Sequence, residues 1–280
     1  MPVIGIVQVG NQALADRYTY LPLIGLFCGI VWEVDNVLAR SRWRRFVAGS
    51  TGTIMLALCG AMTVHQIGYW ADTRTLFEHA IQVTRDNAMA CVKVSCALMR
   101  ENRLAEAEQY LDEALRIDPD YAEAITDLGL IRNATGRKDE AIELYRKALS
   151  IAPENIEALI DCGIALCESG KPEEGLICLQ KAVSLDPGNA EAHFNAGIAL
   201  FQQARYDEAI HHFQEALRYK PDDAQAAYSM GVALSLQQRY EEAFEMYSLT
   251  LRLDPNHADA RRQYEDLLRR SKVSGPPTVQ

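Results

Sequence analysis

Residues 122–155 read AEAITDLGLIRNATGRKDEAIELYRKALSIAPEN, and the landmarks of this stretch return every 34 residues along the chain. Its proline, Pro153, belongs to the series Pro119, Pro153, Pro187, Pro221 and Pro255. Gly129 belongs to Gly129, Gly163, Gly197 and Gly231, and Ala148 to Ala114, Ala148, Ala182 and Ala216, with Thr250 closing the series. A large side chain recurs at Leu111, Tyr145, Leu179, Phe213 and Tyr247. A small one recurs at Ala107, Ala141, Gly175, Ala209 and Ala243. A fixed period of this length marks a solenoid of stacked units, none of which buries its apolar faces alone.

Each unit reads as two antiparallel helices. The first carries the glycine, where a partner backbone must come close. The second carries alanine and the large residue on one face, at helical spacing. The proline follows the second helix and stops it. Acidic residues such as Asp139-Glu140 and Glu173-Glu174 open the second helix, where the helix dipole favours them.

Leu128-Gly129, Ala141, Tyr145, Ala148 and Pro153 resemble the tetratricopeptide repeat (TPR). The resemblance implies an all-α fold, a TPR α-solenoid in which helix pairs form a right-handed superhelix. Five units are expected over 88–121, 122–155, 156–189, 190–223 and 224–257. The first has Ser95 in the glycine register and the third has Gly175 where the family has alanine. A half-repeat is expected over 71–87, with Phe77 and Ala80 in second-helix positions. A capping helix is expected over 258–271, where Ala260, Tyr264, Leu267 and Leu268 form one apolar stripe, and a disordered tail over 272–280.

Charge divides the chain. Residues 1–87 carry 7 Lys/Arg and 6 Asp/Glu, leaving 21 and 32 of the chain's 28 and 38 for residues 88–280. So acidic a repeat region lacks the basic face that nucleic-acid binding requires. The seven cysteines contain no CxxC pair, and the six histidines contain no HExxH, so no metal or other cofactor is expected. The cysteines read as small packing residues, with a disulfide open only in an oxidising compartment. His211-His212 reads as solvated.

Residues 1–70 read as a membrane segment. Phe46–Val64 is 19 residues without a charge, long enough at about 1.5 Å per residue to span a bilayer core. A buried helix of a soluble protein is the alternative. A second span is read over residues 18–38, around the apolar run Leu21–Trp32. The cluster Arg40, Arg42, Arg44 and Arg45 between them sets that loop in the cytoplasm and the repeats outside it, in a periplasm or lumen.

The front end, Asp16-Arg17-Tyr18-Thr19-Tyr20-Leu21-Pro22, and the junction Thr75-Leu76-Phe77-Glu78-His79-Ala80 resemble a second family. Its members are multi-pass membrane proteins that join a protein O-mannosyltransferase-like (GT-C) domain to C-terminal TPRs. That resemblance implies transfer of a sugar from a polyprenyl-phosphate carrier. It also implies a C-terminal fragment or subunit, with a glycosyltransferase membrane domain as partner. The family's catalytic acid has no counterpart here, so the chain is not expected to be catalytic alone. Arg17, with Asp16, would contact a lipid phosphate, or form a structural ion pair at the interface.

In the family's superhelix, first helices line the inner wall. Position six of successive units gives Asp127, Asp161, Asn195 and Ser229, a polar row that is either solvated or suited to an extended peptide, a basic one where the two carboxylates stand. Beside it run Ile160, Ile164, Phe194, Ile198, Phe201 and Tyr228, an apolar strip that either faces the groove or packs between units. Position two, with Glu123, Glu157 and Glu191, would repel an acidic peptide. The expected partner is therefore a protein or peptide in this groove, with the chain moored to a lipid bilayer and no nucleic acid bound.

Overall fold

A computed structural model describes residues 72–273, together with Thr53, Ala57, Gly60 and Ala61. Apart from those four positions, the two expected membrane spans lie outside the described residues, as do Asp16, Arg17 and residues 274–280. Among the described residues, no helix is long and apolar enough to cross a membrane. Twelve α-helices and no strands occur there. The chain divides into two compact units, residues 1–118 and 119–280.

The first unit contains α1 (Thr73–Val83), α2 (Ala88–Arg100) and α3 (Leu104–Ile117). Asp72 caps α1 by accepting the Thr75 amide at 2.8 Å. Ser95, in the glycine register, is fully buried and donates its hydroxyl to the Val92 carbonyl of its own helix at 2.7 Å. The bond lets a polar side chain stand where the other repeats have none.

The second unit contains four helix pairs and a terminal helix. The first helices are α4 (Ala122–Ala134), α6 (Ile156–Glu168), α8 (Ala190–Gln202) and α10 (Ala224–Leu236). The second helices are α5 (Lys138–Ile151), α7 (Pro172–Leu185), α9 (Tyr206–Tyr219) and α11 (Tyr240–Leu253). The terminal helix is α12 (Ala258–Val273). Each first helix packs on the second helix of its pair and, from α6 onward, on the second helix before it. Successive first helices also touch one another, whereas successive second helices make no contact of that extent. The first helices are therefore the more crowded layer and form the inner wall of this unit.

The glycine register and the large-residue register meet. A Cβ on Gly129 would stand 2.6 Å from the ring of Tyr145, and one on Gly197 would stand 2.5 Å from the ring of Phe213. Gly231 faces Tyr247 at 2.8 Å and Gly163 faces Leu179 at 2.5 Å. Each large side chain is at most 1% exposed. Its burial contributes roughly 1.5–3 kcal/mol per repeat, and the missing Cβ is what admits it.

The hairpin turns repeat as well. Asn102, Gly136, Gly170, Ala204 and Gln238 all have positive φ, from 58° to 81°. In each, the following amide bonds back to the first helix, as in Arg137 N to Arg132 O at 2.8 Å and Lys171 N to Leu166 O at 2.9 Å. This is the 6→1 closure of a Schellman motif. Ala204 and Gln238 occupy it with a Cβ, at a cost of about 1–2 kcal/mol each.

Helix starts differ between the layers. Asn87, Asn155, Asn189 and Asp223 cap first helices through their side-chain oxygens. Second helices begin with an arginine that forks onto a glutamate three residues on: Arg103–Glu106, Arg137–Glu140, Arg205–Glu208 and Arg239–Glu242. Glu106, Glu208 and Glu242 lie below the usual carboxylate range because the guanidinium bonds their charged form. In the third repeat Lys171 replaces the arginine and lacks the fork, and Glu174 instead pairs with Arg146 of the preceding repeat at 2.8 Å. At the far end, Tyr264 of α12 stacks on Phe244 at 4.4 Å and Ala260 is fully buried.

Candidate functional site

The inner wall of the second unit presents, on α6 and α8, a concavity of about 270 Å³. Ile164, Phe194 and Ile198 give it an apolar floor, and Asn195, Gln202, Glu168 and Gln225 stand around it. Helical spacing explains the set. Asn195 and Gln202 are seven residues apart on one face of α8, as Asp161 and Glu168 are on α6. The polar row expected at position six therefore extends one register further than the four residues named from the sequence, and the i+7 spacing carried that signal.

Nine of the ten expected groove residues separate into three groups. Ile164, Phe194, Asn195 and Ile198 line the concavity together. Asn195 donates its side-chain amide to the Glu191 carbonyl at 2.9 Å, which fixes the side chain and leaves its oxygen as acceptor. Ile160, Asp127 and Ser229 are buried, at 5%, 6% and 9% exposure, and present little surface to a ligand. Phe201 packs on Tyr206 of its own repeat at 5.4 Å, and Tyr228 packs on His257 at 4.5 Å. These two serve the packing within their repeats. Asp161 stands apart and is treated below.

His212 departs from the solvated reading. His211 is exposed, but His212 precedes the buried Phe213 and turns against α8, where its Nδ1 lies 3.2 Å from Nδ1 of His193. His193 is 7% exposed, and its Nε2 lies 3.2 Å from the Pro187 carbonyl. Burial, then the neighbouring imidazoles, push His212 down to about 4.

The five cysteines among the described residues are free. Cys162 and Cys178 meet between α6 and α7, where the Cys162 thiol bonds the Cys178 sulfur and draws the Cys178 thiol below its usual range. Among the described residues, no group of three or more His, Cys, Asp or Glu side chains is placed to hold a metal ion.

Asp161 is half-buried on α6, and its Oδ2 is buried without a hydrogen-bond partner. Desolvation, then the carboxylates of Glu157, Glu191 and Asp127, raise it to about 7. A carboxyl held near neutrality by burial and like charge is a candidate mark of a functional site.

Family models described as tetratricopeptide repeat match residues 95–156 and 195–258, residues 133–193, and residues 178–211, covering 95–258 without a break. Among curated proteins, none matches the chain. Among solved structures the chain is similar to YrrB, a TPR protein with an unusual peptide-binding site, at 28% identity and TM-score 0.56, over 68% of this chain and 97% of that one. Its fold is also that of pilF from Pseudomonas aeruginosa, at 22% identity and TM-score 0.59, over 69% of this chain and 94% of that one. A thermophilic TPR protein of Thermus thermophilus, TTC0263, shares it at 20% identity and TM-score 0.52, over 65% and 98%. With the helix pairs, the glycine-to-ring packing and the sequence models in agreement over the same residues, the chain belongs to the tetratricopeptide-repeat family.

Proposed function

We propose that the second unit is a protein–protein interaction module that holds an extended segment of a partner protein against α6 and α8. The observation that carries this reading is the concavity over Ile164, Phe194 and Ile198, an apolar floor edged by Asn195, Gln202 and Gln225. Such edges offer both donors and acceptors to a peptide backbone, and the floor offers burial to one of its side chains. The similarity to YrrB, a protein with a peptide-binding site, supports the same role.

The double substitution Phe194→Ala with Asn195→Ala removes the floor and one edge. It should weaken capture of peptides by roughly tenfold or more, the size of effect expected when an aromatic anchor is truncated. Helix content by circular dichroism should persist, since the knob Phe213 is retained. Unchanged affinity in the double variant would remove the site from this wall. The membrane anchor expected over residues 46–64 rests on the uncharged run alone. Alkaline extraction that releases the chain from membranes would end that part of the reading, and with it the extracytoplasmic placement and the glycosyltransferase association.

A further inference from the structure

The wall beside the concavity is electrostatically incomplete. Every charged group acting on Asp161 is a carboxylate: Glu157 one turn earlier on α6, Glu191 on α8 and Asp127 on α4. Tyr145 of α5 is fully buried, and its hydroxyl has no hydrogen-bond partner. Asp161 is the charge that acts on that hydroxyl most strongly. In the fifth repeat the corresponding hydroxyl, on Tyr247, is bonded to Ser235 at 3.1 Å. The corresponding pair in the second repeat, Asn133 and Tyr145, leaves both Asn133 Oδ1 and Tyr145 Oη unpartnered. Buried polar atoms are ordinarily paired, and a buried carboxylate ordinarily has a cation or several donors. Asp161 Oδ2 has no such partner, and no basic side chain is among the groups acting on Asp161.

Resting on the groove reading above, we infer that the partner segment supplies the missing cation: a lysine or arginine whose charged end pairs with Asp161 among Glu157 and Glu191, with an apolar side chain two to three positions away seated over Phe194 and Ile198. The spacing follows from geometry. Packed helices lie about 8–10 Å apart, and an extended chain advances about 3.3 Å per residue, so two to three residues carry it from Asp161 on α6 to the floor on α8. Charge complementarity selects this occupant. An acidic or neutral segment would bury the carboxylates further without compensating them. Pairing with a cation favours the ionised form, so Asp161 releases its proton on binding. The affinity of a basic segment therefore rises as pH increases through about 7.

The test uses acetylated, amidated nonapeptide pools, each with the central residue fixed as lysine, arginine, glutamine or glutamate and the rest mixed. Their capture by the full chain is measured at pH 6 and pH 8. The lysine and arginine pools should bind about tenfold better than the glutamine pool at pH 8, with glutamate weakest and the preference smaller at pH 6. Asp161→Asn should reduce the preference to about twofold or less while helix content is kept. Glu143→Gln, which makes the same change in net charge on an exposed position of α5, should leave it intact. Equal capture of the lysine and glutamine pools, or a preference that survives Asp161→Asn, would overturn this inference alone if Phe194→Ala still weakens capture. No capture of any pool would overturn it together with the groove. Self-association that competes with the pools would assign the wall to a second copy of the chain, and overturn it as well.

Discussion

Gly175→Ala will destabilise the chain by about 1–3 kcal/mol, although it installs the residue found at that register in the other four repeats. Two effects oppose each other. Alanine is the better helix former, by about 1 kcal/mol in an exposed helix. The site is not exposed: the new Cβ would stand 2.7 Å from the Gly163 carbonyl oxygen and 2.6 Å from Cys167 Sγ. A sulfur at the end of a side chain can rotate away, but a backbone carbonyl inside α6 cannot move without displacing the helix. Packed interiors transmit such strain rather than absorb it, so the clash wins. Gly163 and Gly175 thus form one close crossing of α6 and α7, and the third repeat has exchanged a methyl group for nearer backbones. Urea titration followed by helical circular dichroism will show the midpoint falling. A midpoint at or above that of the parent chain would mean the two helices are not this close.

Asp161→Asn will act in the opposite direction and stabilise the chain at neutral pH by on the order of 2–4 kcal/mol. Asp161 is held at about 7 in the folded chain, against roughly 4 when unfolded. Between those values the folded state binds the proton that the unfolded state has lost, so stability falls as pH rises across that interval and is level above it. Asparagine escapes this cost. The gain over the parent should be near zero at pH 4 and largest above pH 7. His212 contributes with the other sign. Its folded value of about 4 lies below the unfolded value of about 6.5, so its stabilisation is lost as pH falls from 6.5 to 4. That contribution is common to parent and variant and cancels in their difference. A constant gain at all pH values, or none at pH 8, would show that Asp161 is not an acid kept neutral by burial and like charge. A residue that weakens the fold is a place where a requirement of function can outweigh one of stability.

The helix pairs were legible because each register reports one physical need. Prolines stop second helices; the glycines read as points of close backbone approach, whereas Gly129 and Gly197 in fact admit the rings of Tyr145 and Phe213. The turn register at Asn102, Gly136, Gly170, Ala204 and Gln238 keeps the same period but was hidden, since only two of the five are glycine. The Arg-x-x-Glu forks that open second helices were hidden by the one repeat with Lys171. At the wall, composition could not separate side chains on neighbouring faces of one helix. Ile198 and Phe201 are three residues apart on α8, yet one lines the concavity and the other packs on Tyr206. Sequence also could not show that His212 meets His193, since that contact joins residues 19 positions apart. The Tyr145 hydroxyl was missed for a similar reason: its ring is required by the packing register, and its lack of a partner is a property of the assembled core.

Ligand binding at the inner wall, and not at the outer one, is the central claim. A photoreactive phenylalanine analogue placed at Ile198, on the floor of the concavity, and separately at Ile177, 68% exposed on α7, compares the two directly. A bound lysine-centred peptide should crosslink at position 198 and not at 177. Crosslinking at 177 alone, or equally at both, would contradict the claim.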